Sequence, residues 1–344
     1  MPNLTMKNIL TATTLLFSVT AFAQNSDSAQ FYYQKGVEEK TAKHFLAASK
    51  AFDKAIKFDA KLTAAYVENG YANLEMRKTD AAIGNFSKAH ELEPGNTIPV
   101  KELMELYYNY RQYAKAVELA LLCKDCANAE KIIALSYFQQ EDYAKAEKAL
   151  LALVAKNPAD AEVNYTLGRS YLEMEQERKA IYYYDKAVFL DTGKATWLHE
   201  LALLYYTVND YKNAVVYFNK AAANGFTQSN DFKENLGFSY IYSGEFEKGE
   251  KLVMEIMEKK PGNKDLLRDV ADAYYQIKKY DKTLEFCQKL LEMDKNDGKA
   301  LYQAGQCFIK KGEKDRGQAM CDKAIELDPS LSNLKKQQQM GAGM

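Results

Sequence analysis

The stretch Leu121-Leu-Cys-Lys-Asp-Cys-Ala-Asn holds Cys123 and Cys126 in a Cys-x-x-Cys spacing. Two thiols three residues apart can cycle between dithiol and disulfide, supply half of a zinc site, or bridge permanently. A thioredoxin-type centre sets this motif beside a βαβ pattern, and no strand pattern surrounds it. Lys124 and Asp125 cancel, so no positive field activates a thiolate. Structural zinc takes four ligands, usually as a second close pair; the nearest other donors are the lone His90 and the distant Cys287. The expectation is a disulfide staple, worth about 2 kcal/mol for so short a loop. Two buried free thiols, or a thiol-redox function of the pair, are the alternatives. Cys287, Cys307 and Cys321 read as three small buried hydrophobes, or as Cys307 paired with Cys287 or Cys321. The total of five leaves at least one thiol unpaired.

Little else in the chain points to catalysis. There is no glycine-rich phosphate loop, no His-Glu-x-x-His and no Gly-x-Ser-x-Gly. His44, His90 and His199 are scattered; the first two read as surface residues. Asn85-Phe-Ser and Asn164-Tyr-Thr match glycosylation acceptors but fall inside expected helices. Lysine and arginine (46) nearly balance aspartate and glutamate (47), so no electrostatic footprint for nucleic acid is visible. No enzyme activity, cofactor or metal is expected.

The elements that must position these residues read as helices. Proline is scarce (6), tyrosine abundant (25), and Ala, Glu, Lys and Leu are frequent, a helix-forming composition. The N-terminus stands apart: Lys7, a short apolar run and Ala21-Phe22-Ala23 have the form of a secretory signal peptide. Residues 1–23 are expected to be cleaved, with 24–28 as a short linker. Gln24 in place of cysteine argues against a lipoprotein anchor, and no later run approaches a membrane span. The expectation is an exported, periplasmic protein with no membrane insertion of the mature chain, associated with an envelope complex or secreted.

A repeat fills residues 29–329. Gly36 and Gly70, Ala48 and Ala82, Phe52 and Phe86, and Ala55 and Ala89 are each 34 residues apart. Nine units start near residues 29, 63, 97, 127, 161, 195, 230, 264 and 298. Counting within each unit, positions 8 and 20 are Gly, Ala or Thr except for Met104, so two helices can approach closely. Position 11 is aromatic from Tyr107 onward, and position 24 is mostly large. Glu39 and Asn73 depart from this at the N-terminal end, where one face meets water. These residues resemble the tetratricopeptide repeat family, whose 34-residue helix-turn-helix carries Leu-Gly-x-x-Tyr, then Ala-x-x-x-Phe and a closing Pro. The resemblance implies an all-α, right-handed superhelical solenoid. Residues 330–344 are expected as a capping helix and flexible tail.

The resemblance also implies a binding groove lined by first helices at positions 2, 5, 9, 12 and 13. On this chain those positions supply Tyr33, Tyr71, Tyr108, Phe138, Tyr165, Arg169, His199, Tyr206, Phe238, Tyr275 and Tyr302. An exposed aromatic ladder marks an interaction surface; the competing reading is packing between neighbouring first helices. The lysine-and-asparagine carboxylate clamp of the chaperone-tail-binding members is absent, since Glu105 follows Lys101 and Leu135 follows Lys131. The expected function is a non-enzymatic scaffold in the bacterial envelope that holds a protein or peptide partner. Self-assembly into a homo-oligomer through the end repeats is an alternative.

Overall fold

The structure is a computed structural model that describes residues 26–123, 125–260 and 262–333. The predicted signal peptide and most of the predicted capping tail lie outside these residues. Every regular element among the described residues is helical, as the composition and repeat predicted. The chain forms two compact units, divided between Glu175 and Gln176.

The first unit contains α1 (residues 26–41), α2 (Phe45–Phe58), α3 (Thr63–Glu75), α4 (Thr79–Leu92), α5 (Thr97–Asn109), α6 (Tyr113–Leu122), α7 (Ala129–Gln139), α8 (Tyr143–Lys156) and α9 (Ala161–Glu173). The second contains α10 (Glu177–Leu190), α11 (Ala195–Thr207), α12 (Tyr211–Ala223), α13 (Asn230–Ser243), α14 (Phe246–Lys259), α15 (Lys264–Gln276), α16 (Tyr280–Met293), α17 (Gly298–Lys310) and α18 (Lys314–Leu327), then a 3-10 turn at Pro329–Leu331. Odd-numbered helices from α3 onward begin at the predicted repeat starts, except that α7 begins at Ala129 rather than 127. Residues 26–28, expected as linker, already belong to α1, and Ala29 is buried just beyond them.

Within each unit, successive helices pack as hairpins, and each hairpin packs on the next. One hairpin cannot bury its apolar face alone; stacking does so. Small residues at positions 8 and 20 set the hairpin spacing. Ala82, Ala116, Ala146, Ala214 and Thr283 are fully buried. At Gly36 an added methyl would fall 2.5 Å from the ring of Phe52, and at Gly70 2.6 Å from that of Phe86. The third repeat inverts the size pattern: Met104 is fully buried at position 8, and the opposing position 24 is the small Ala120, in one cluster with Ala116 and Ile132. Volume is thus conserved across the seam.

Asn73, which departs from the aromatic pattern at position 11, is buried. Its amide donates to the Asn69 carbonyl at 2.8 Å; the Asn69 side chain accepts from Ser49 at 2.7 Å and donates to Asp53 at 2.8 Å. A satisfied polar network therefore takes the place of the aromatic ring at position 11. Asn164 is likewise fully buried and bonded to the Pro158 and Asp160 carbonyls.

The turn inside each hairpin has one recurring device. Position 15 adopts the left-handed conformation in all nine repeats: Lys43, Arg77, Arg111, Glu141, Glu175, Asn209, Gly244, Lys278 and Gly312. After α3, for example, Arg77 donates to the Leu74 carbonyl and Lys78 to the Asn73 carbonyl, both at 2.8 Å. This six-to-one closure is the Schellman motif.

Candidate interaction face

First helices are placed by caps that the sequence supplies. Asp160, Ser229, Asn263 and Asp297 accept from backbone amides of α9, α13, α15 and α17, satisfying donors otherwise left open. First helices also touch one another, α5 with α7 and α7 with α9 in the first unit, α11 with α13 and α13 with α15 in the second. Position 11 points inward: Tyr171, Tyr205, Tyr240 and Tyr274 are buried. Position 12, one residue on, is set apart by the helical period.

In the first unit, Tyr33, Tyr71, Tyr108, Tyr165 and Arg169 stay partly exposed, while Phe138 is buried. Phe138 lies beneath the Arg169 guanidinium, 5.1 Å from its centroid, and that guanidinium also reaches the Tyr165 ring at 5.9 Å. Several charges here are paired internally. Lys40 bonds Glu68, and Lys131 bonds Asp160 at 2.9 Å and Glu162 at 2.8 Å. The Tyr71 hydroxyl donates to Glu102 at 3.1 Å. Burial, and then the Glu102 carboxylate, push that phenol up to about 12.

In the second unit, His199, Tyr206 and Tyr275 are partly exposed, whereas Phe238 and Tyr302 are buried. Those two, like Phe138, pack into the helix seams instead of standing free: Phe238 joins the core with Val253 and Val270, and Tyr302 packs with Cys321 and Leu331. His199 stacks on Phe226 at 4.1 Å, and burial lowers its pKa from the ordinary histidine value. It works as an aromatic packing residue between α11 and the α12–α13 loop. Tyr206 meets Tyr211 at 5.5 Å, and Tyr211 stacks on Tyr242 at 4.4 Å. Burial, and then its neighbours' charges, raise the Tyr206 phenol to about 12.

Sequence reasoning missed Glu234, Asp269 and Asp272, which the hairpins bring beside these tyrosines. Burial and then mutual repulsion raise the pKa of Glu234 and of Asp269, and burial raises that of Asp272. Two of them sit at groove positions, Glu234 at position 5 and Asp272 at position 9, so a charge-by-position reading would have found them.

Cys123 and Cys126 form a disulfide across Cα atoms 5.4 Å apart. Cys123 closes α6 as its C-cap and is almost fully buried. The Cys126 amide donates to the Cys123 carbonyl, so the bridge lies within a tight turn before α7. Cys287, Cys307 and Cys321 are buried free thiols. Burial pushes Cys287 up to about 12 and Cys307 to about 11. No helix among the described residues is long and apolar enough to cross a membrane.

A model described as tetratricopeptide repeat matches residues 133–195, and a second with the same description matches 197–223 and 298–331. Among curated proteins, the chain is 27% identical over 162 residues to the human protein O-mannosyl-transferase TMTC1, covering 46% of this chain and 18% of that protein. It is 26% identical over 171 residues to anaphase-promoting complex subunit 3 of Schizosaccharomyces pombe, covering 48% and 25%. The chain thus spans a quarter or less of the length of these two relatives. Among solved structures, it resembles YrrB, titled a TPR protein with an unusual peptide-binding site, at 22% identity and TM-score 0.37, covering 56% of this chain and 100% of that one. It also resembles the structure titled Naa15/Naa10 bound to HypK-THB, at 16% identity and TM-score 0.42, covering 92% and 61%. The matched segments cover 124 of the 344 residues and fall on helix-turn-helix hairpins of the kind that recur from α1 to α18, so that part of the chain is similar to tetratricopeptide repeats.

Proposed function

We propose that the chain is a non-catalytic scaffold whose first helices hold an extended or helical segment of a protein partner. One observation carries the reading: Tyr108, Tyr206 and Tyr275 recur at position 12 of three repeats and remain partly exposed, while the neighbouring Tyr205 and Tyr274 at position 11 are buried. Tyrosine offers a large apolar surface, a polar tip and few rotatable bonds, which suits it to recognition. The N-terminal segment ending in Ala21-Phe22-Ala23 supports export, and the Cys123–Cys126 bridge suits an oxidising compartment; the setting proposed is the bacterial periplasm or an envelope complex. The test is capture of a partner from the native envelope by intact protein and by a folded Tyr108→Ala, Tyr206→Ala, Tyr275→Ala variant. Partner loss in the variant supports the reading, and equal capture by both overturns it.

A further inference from the structure

We infer that the first-helix face of the second unit docks a cationic protein segment, one bearing lysine or arginine beside apolar side chains. This rests on the reading of that face as the interaction surface and names the chemistry of what it holds. Two features of the face decide the occupant. Its rings are tyrosines: Tyr206 stands edge-on to Tyr211, Tyr211 stacks on Tyr242, and Tyr275 meets Tyr280 at 5.6 Å. Ring faces of this kind attract ammonium and guanidinium groups. Its carboxylates are incompletely compensated: neither Glu234 nor Asp269 takes part in an ion pair among the described residues, Arg268 only partly offsets the charge on Asp269, and Asp272 accepts from the Gln303 amide. The nearest guanidinium, Arg268, is already committed to Asp265 at 2.9 Å and Asp297 at 2.7 Å.

The corresponding face of the first unit is more fully paired, although Glu102 and Glu105 form no ion pair among the described residues. There, Lys40 answers Glu68, and Lys131 answers Asp160 and Glu162. In the second unit the carboxyls sit above their ordinary pKa values because burial and neighbouring negative charge disfavour ionisation. An incoming cation relieves that repulsion, and bound lysine or arginine leaves its apolar stem on the tyrosine rings. Beside Asp272 lies a hollow of about 270 Å³ lined by Asp272, Tyr275, Gln303 and Gln306 and also by the cations Arg268 and Lys299, so the incoming charge is met by Glu234 and Asp269 beside the tyrosines and the hollow takes an apolar side chain.

The test uses three labelled twelve-residue peptides, identical except that lysine, glutamine or glutamate alternates with leucine and alanine, titrated against the whole protein. The lysine peptide is expected to bind and the glutamate peptide to fail. Glu234→Gln with Asp269→Asn and Asp272→Asn should weaken the lysine peptide about tenfold or more, and added salt should weaken it further. Glu247→Gln with Glu258→Gln and Glu326→Gln changes the charge equally at exposed sites on second helices and should leave binding unchanged. Equal loss in both variants, or no binding of the lysine peptide, overturns the inference. Equal binding of the glutamine peptide, lost with Tyr206→Ala and Tyr275→Ala, overturns the cation requirement while leaving the interaction face in place. Partner capture that is indifferent to the tyrosines removes the face itself.

Discussion

Gly249 packs on Gly237 so closely that a methyl group on Gly249 would lie 2.6 Å from the Gly237 carbonyl oxygen and 3.1 Å from the Ile241 amide nitrogen. The contact is with backbone, which cannot turn aside. Gly249→Ala should therefore cost about 1–3 kcal/mol through overpacking. The reverse partner behaves differently: a methyl on Gly237 would meet nothing closer than 3.4 Å. Gly237→Ala should be neutral or gain up to about 1 kcal/mol from helix propensity. Denaturant midpoints of the two variants, side by side, check this asymmetry.

Asp185 accepts from the Tyr205 hydroxyl at 2.6 Å and the Tyr217 hydroxyl at 2.5 Å, beneath rings stacked 5.4 Å apart. Asp185→Ala leaves two phenols without their charged acceptor and should destabilise by about 2–3 kcal/mol. Thermal unfolding of the variant measures it, with Tyr205→Phe expected to soften the loss.

Several phenols ionise late in the folded chain. Tyr71 and Tyr206 are raised to about 12, and Tyr205, Tyr217 and Tyr274 are also raised. A raised folded pKa contributes stability that is fully present below the unfolded value near 10 and lost as pH rises through the folded value. Unfolding free energy should fall between about pH 10 and pH 12, in step with tyrosinate absorbance. A flat profile in that range would contradict the burial assigned to these rings.

The Cys123–Cys126 bridge closes a very short loop, so its reduction should cost about 2 kcal/mol. Cys123→Ser with Cys126→Ser should unfold at the temperature of the reduced protein. By contrast, Cys287 and Cys307 should resist alkylation at neutral pH until the chain unfolds, since burial disfavours their thiolates.

The left-handed residue at position 15 gives a further check. Arg77 is exposed there with φ 58°. Arg77→Gly should be nearly neutral, because relief of the left-handed cost and added freedom in the unfolded chain offset each other. Arg77→Val should cost about 1–2 kcal/mol, as a β-branched side chain tolerates that conformation poorly.

The repeat made the fold legible: small residues every 34 positions located the hairpin contacts, and almost every first helix begins where that spacing set it. Position 15 stayed invisible because Lys43, Arg77, Arg111 and Lys278 carry no glycine signal; the six-to-one hydrogen bonds hold them there instead. The candidate interaction face was legible only in part. Position within a repeat found Tyr108, Tyr206 and Tyr275, but it could not separate them from Phe138, Phe238 and Tyr302, whose burial depends on the neighbouring hairpin. The near-zero total charge concealed Glu234, Asp269 and Asp272, since compensation is a matter of where charges lie and not of their sum. The burial of Asn73 was hidden for the same reason: its partner Asn69, one turn earlier on α3, is held in turn by Ser49 and Asp53 of α2.

The most direct test of the account places a photoactivatable crosslinking residue at single positions and maps adducts in cells of the native host. Substitution at Tyr206 or Tyr275, on first helices, should yield adducts with a shared partner. Substitution at Lys212 or Lys289, on second helices of the same unit, should not. Adducts confined to the second-helix positions would contradict the account, because the partner would then lie on the face opposite the tyrosines.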